Sequence, residues 1–120
     1  TAALLGKSVA HDPSALPAEA VLEMATLGGA RSLGLEQQIG SLVPGKQADM
    51  AAIDLGALET QPLYDPLAQI VYAASRNQVS DTWVAGQCLL RERELTTLNT
   101  GRLRHDVQRW NQQIAEADHG

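Results

Sequence analysis

The stretch Ile39-Gly40-Ser41-Leu42-Val43-Pro44-Gly45-Lys46-Gln47-Ala48-Asp49-Met50-Ala51-Ala52-Ile53-Asp54 decides how this chain is read. Gly40 and the Pro44-Gly45 pair punctuate it as turns. Pro44 presets φ at one corner, and Gly45 supplies the positive φ that the next position of such a turn requires. Met50-Ala51-Ala52-Ile53 is then a short apolar run between two aspartates, which predicts a buried strand. Asp49 is placed to receive backbone N–H groups at the strand entrance, as short Asp side chains do.

Downstream, Asp65-Pro66 predicts the start of a helix carrying Leu67, Ile70, Val71 and Ala74. Val79-Ser80-Asp81-Thr82-Trp83-Val84 is rich in β-formers. Ala85-Gly86 reads as a tight turn and Gln87-Cys88-Leu89-Leu90 as the return strand, so a hairpin is expected. Glu94 to Leu98 reads as one more strand. The last segment is a helix, capped by Asn99 or Thr100, with Leu103, Val107, Trp110 and Ile114 on one stripe at 4-3-4 spacing.

Upstream, residues 1–10 read as the tail of an apolar helix ending near His11-Asp12-Pro13, because the residue before a proline is biased away from helix. Pro17 suits a first helical position, with Glu19 favourable at the positive end of the dipole. Val21, Leu22, Met24, Ala25 and Leu27 follow at helical spacing. Gly28-Gly29 interrupts the pattern, so two short helices are expected, around 17–26 and 28–33, with Gly34 as the left-handed closing residue. The small residues Gly28, Gly29 and Ala30 are read as allowing close packing on neighbours. The expected order is α-α-β-α-β-β-α, without repeats or low-complexity linkers.

One hundred and twenty residues suit a single domain or part of one. There is no Phe, and only two Trp and two Tyr, so Ala and Leu supply most of the 44% hydrophobic content. Small side chains bury little area each, at about 25 cal/mol per Å². Such a chain is expected to pack against something larger. The net charge of −5, with both signs interspersed, argues against a nucleic-acid surface. Arg91 and Arg93 flank Glu92, and Arg102, Arg104 and Arg109 share a helix with Asp106, which reads as a solvated face. The single cysteine, Cys88, excludes an internal disulfide framework and a cysteine-based zinc site, and fits a reducing, cytoplasmic compartment. No apolar run approaches the ~20 residues of a membrane-spanning helix. The opening residues lack a signal peptide's basic and apolar regions. The chain opens without Met inside an apolar helix and is expected to be a piece of a longer protein.

Three signatures occur in order. The first is Ala25-Thr26, Gly28-Gly29-Ala30 and Leu33-Gly34. The second is Ile39-Gly40-Ser41-Leu42 with Pro44-Gly45-Lys46 and Ala48-Asp49. The third is Asp65-Pro66-Leu67, then Val71-Tyr72-Ala73-Ala74-Ser75, Val79, Asp81, Trp83-Val84 and Gly86. Together, over about residues 2–98, they resemble the C-terminal portion of enzymes of the amidohydrolase superfamily. The second signature is shared with dihydroorotases, hydantoinases and ureases. The first and third are similar to the branch holding 5-methylthioadenosine/S-adenosylhomocysteine deaminases and triazine chlorohydrolases, and the Tyr-Ala-Ala-Ser phrase after Asp-Pro favours the deaminases.

The resemblance implies an α/β fold. Residues 1–44 would be the last outer helices of a (β/α)8 barrel, and residues 45–98 the C-terminal strands of a composite β-sandwich domain. Residues 99–120 would be a terminal helix packing back on the body. It implies one divalent metal, zinc or iron, held in the barrel by a His-x-His pair, two further His and an Asp, with a Glu moving protons. It implies hydrolytic release of ammonia from an adenine nucleoside. The partners implied are the remainder of the same polypeptide and a purine nucleoside substrate, with a homo-oligomer expected and neither nucleic acid nor membrane. The alternatives are a chlorohydrolase, a guanine or cytosine deaminase, or a non-catalytic interaction module. An open sheet edge would mark a fragment and a closed sheet a module.

None of the implied ligands is present here. There is no His-x-His, and His11, His105 and His119 are isolated in sequence. The matching Asp would precede Thr1. Cys88, beside Leu89 and Leu90, reads as a small buried residue. No serine has a nucleophile-elbow context, and no glycine loop has phosphate-binding spacing. No residue of this chain is assigned a catalytic, cofactor-binding or metal-binding role, and the chain alone is expected to bind no metal.

Overall fold

The computed structural model describes residues 2–117. Helix α1 spans Ala2–Ala10 and α2 spans Ala18–Glu23. A wide π turn over Met24–Gly28 runs directly into α3, Gly29–Ser32. Strand β1 is Met50–Ile53, α4 is Pro66–Tyr72, β2 is Val79–Val84, β3 is Gln87–Arg91 and β4 is Glu94–Leu95. Helix α5, Thr100–Ala117, closes the described chain.

The Gly28-Gly29 pair does not split the helix, contrary to the sequence expectation. Glu23, Gly28 and Gly29 all keep right-handed helical dihedrals, so α2, the π turn and α3 form one rod. Glycine lowers helix stability by about 1 kcal/mol but does not forbid helical dihedrals. Thr26 Oγ1 donates back to the Leu22 carbonyl at 2.7 Å, the kind of side-chain competition that distorts a helix locally. Nor are Gly28 and Gly29 the points of close approach. A Cβ on either would meet only atoms of its own rod. A close approach to the rod's backbone is at Gly40, where a Cβ would sit 2.8 Å from the buried Ala30 Cβ and 3.1 Å from the Thr26 carbonyl oxygen. Gly34 (φ +69°) and Gly45 (φ +94°) adopt the left-handed conformations expected of them.

The four strands form an antiparallel sheet in the order β1-β2-β3-β4. Ala85 (φ +49°) and Gly86 (φ +77°) make the hairpin turn between β2 and β3, both in the left-handed region that such two-residue loops use. Asp49 does accept a backbone N–H, from Ala85 at 2.6 Å rather than at its own strand. With the Gly86 N–H donated to the Ala48 carbonyl at 3.1 Å, this ties the start of β1 to the hairpin tip. Two expectations are corrected in extent. Strand β1 is only half-buried, with Ala51 exposed, and β4 covers Glu94–Leu95 rather than reaching Leu98.

Asp65 caps α4 by accepting from the Leu67 N–H at 2.9 Å and the Ala68 N–H at 3.2 Å, with Pro66 at the first helical position. Replacing Asp65 by alanine is expected to cost about 1 kcal/mol of stability, read as a lower urea midpoint of the full-length protein. Replacing it by asparagine should cost much less.

The sheet is not closed, because β1 and β4 both lie at its edges. The core within the chain is small: Ala3 and Ala30 are the only fully buried apolar residues among those described. Its radius of gyration is 19.4 Å, where about 14 Å is ordinary for a compact domain of this length. The apolar side chains therefore have faces that point away from one another rather than a common centre.

Candidate functional site

The residues with chemical potential lie apart. His11 follows α1 in a turn with φ +50°. The neighbouring Asp12 accepts from the Ser14 hydroxyl at 2.6 Å and the Ser14 N–H at 2.8 Å. The hydroxyl bond first, and the backbone bond second, hold the Asp12 carboxyl below its ordinary value. This exposed turn is firmest with Asp12 ionised and loosens as pH falls below the usual carboxylate range. His105 lies on α5, three-quarters exposed and 3.7 Å from Asp106. His119 lies outside the described residues. Cys88 sits half-buried on β3 with Sγ 3.2 Å from the Leu90 carbonyl oxygen, so it is less enclosed than expected.

Among the described residues, no three His, Cys, Asp or Glu side chains converge on a point that could hold a metal ion. No described helix is long and apolar enough to cross a membrane.

What the chain does offer is surface. A groove of about 780 Å³ runs between the helical rod and β1, lined by Leu22, Ala25, Leu33, Ile39, Met50 and Ile53 among others. Its wall on the sheet side is β1, the edge strand whose only partner is β2. An apolar trough beside a free strand edge is the geometry that receives an added strand, with backbone hydrogen bonds on the edge and side chains in the trough. Nearby, Lys46 Nζ donates to the Glu36 carbonyl and, at 3.2 Å, to the Ile39 carbonyl, which fixes the loop that floors the groove. Glu36 Oε2 is buried without a hydrogen-bond partner, an arrangement that costs stability unless a donor reaches it. The Lys7 ammonium gathers the Pro13 and Ala15 carbonyls at 2.5 and 2.8 Å and lies 5.8 Å from the Tyr72 ring centre. These lysines do structural work by closing loops.

The groove and the Lys7 and Lys46 clamps are not visible in the linear pattern. The groove joins residues some thirty positions apart, and neither lysine belongs to an apolar period. The only hint in the sequence was the stock of small and aliphatic side chains with too few aromatics to fill a core.

The model of the amidohydrolase family matches residues 1–89. The chain is 45% identical over 113 residues to a 5-methylthioadenosine/S-adenosylhomocysteine deaminase of Teredinibacter turnerae, covering 94% of this chain and 26% of that protein. It is 40% identical to the enzyme of the same name from Saccharophagus degradans, again over 95% of this chain and 26% of that protein. Among solved structures, a zinc-bound adenosine deaminase from Xanthomonas campestris superposes with a TM-score of 0.87 and 50% identity, over 96% of this chain and 26% of that one. An atrazine chlorohydrolase from Arthrobacter aurescens, complexed with zinc, superposes with a TM-score of 0.73 and 25% identity, over 89% of this chain and 25% of that one. The chain thus spans about a quarter of the length of the relatives it matches. It belongs to the amidohydrolase family.

Proposed function

We propose that this chain is the C-terminal quarter of a metal-dependent aminohydrolase that removes ammonia from an adenine nucleoside of the 5-methylthioadenosine or S-adenosylhomocysteine type. The observation that carries this is the 45% identity to a deaminase of that name across 94% of the chain. The zinc in the solved relatives points to a divalent metal in the whole enzyme. In this reading the metal and the reacting atoms belong to the polypeptide that precedes this segment. In this reading the helical rod is the outer layer of a (β/α)8 barrel, whose active site lies at the C-terminal ends of its strands. Strands β1 to β4 are then part of a composite sandwich. The groove and the free edge of β1 receive the chain's own N-terminal strands, and the buried Glu36 Oε2 meets a donor from that preceding part. A cytoplasmic setting and a homo-oligomeric state complete the reading; the lone Cys88 fits the former.

A second reading has its own support. An S-triazine hydrolase of Gordonia rubripertincta is 42% identical over 98 residues, which makes displacement from a triazine ring the alternative chemistry. The full-length protein, purified with zinc, should be incubated with 5-methylthioadenosine, S-adenosylhomocysteine, adenosine and atrazine. Ammonia release from the adenine nucleosides supports the proposal. Chloride release from atrazine, with no nucleoside turnover, replaces it with the second reading.

A further inference from the structure

We draw no further inference here: the strongest candidate, the apolar stripe of Leu103, Val107, Trp110 and Ile114 along α5, stands exposed, and nothing in the structure shows what covers it.

Discussion

Valine in place of Gly40 is expected to lower stability by about 3–5 kcal/mol. Two penalties act together. Gly40 has φ +87°, where an L side chain costs roughly 1–2 kcal/mol and a β-branched one more. Its Cβ would also lie 2.8 Å from Ala30 Cβ, 3.1 Å from the Thr26 carbonyl oxygen and 3.2 Å from Leu27 Cα. Two of those three atoms are backbone of the helical rod and cannot swing aside. Overpacking of this kind costs about 1–3 kcal/mol. Gly45 provides the control, with φ +94° and nothing within 4 Å of a built Cβ. Alanine at Gly45 should show the conformational penalty alone. Urea denaturation of the full-length protein separates the two. Alanine at Gly40 that costs no more than alanine at Gly45 would show that the rod and the loop do not touch as described.

The second large effect concerns the chain by itself. Produced as 120 residues, it is expected to melt without a cooperative transition and to bind a hydrophobic dye such as ANS. Its urea dependence should fall below about 1 kcal/mol/M, the low end for small cooperative domains. The reason is the arrangement of its apolar surface. Among the described residues, Ala3 and Ala30 are the fully buried apolar ones, whereas Leu58 is 88% exposed. Two buried alanines among the described residues cannot offset a backbone ordering cost of roughly 1–2 kcal/mol per residue. A single sharp transition, coincident by circular dichroism and fluorescence, would make it a self-sufficient module instead.

Legibility followed the range of the forces involved. The Asp65 cap, the Ala85-Gly86 turn and the left-handed glycines at 34 and 45 were all readable, because each is decided within a few residues. The 4-3-4 stripe of α5 was readable for the same reason. That the stripe would stand exposed was not, since exposure depends on what else is present. Gly28-Gly29 misled because glycine weakens a helix without breaking it, and the π turn absorbed the irregularity. The Asp49–Ala85 bond spans 36 positions and the Gly40–Ala30 contact joins a loop to a helix, so neither leaves a periodic trace. The isolation of the histidines in sequence was legible, and His11 and His105 lie on separate elements. The groove was not legible, because its two walls come from distant stretches.

If this segment is scaffold and the chemistry lies in the preceding polypeptide, its own donor atoms are dispensable for metal binding. The decisive measurement is the metal content of the full-length protein with His11, His105 and His119 replaced by alanine and Cys88 by serine. The prediction is zinc or iron bound to the same stoichiometry as in the parent protein, with nucleoside turnover within about threefold. Loss of the metal from a variant whose melting curve is unchanged would contradict it and place a ligand inside this chain.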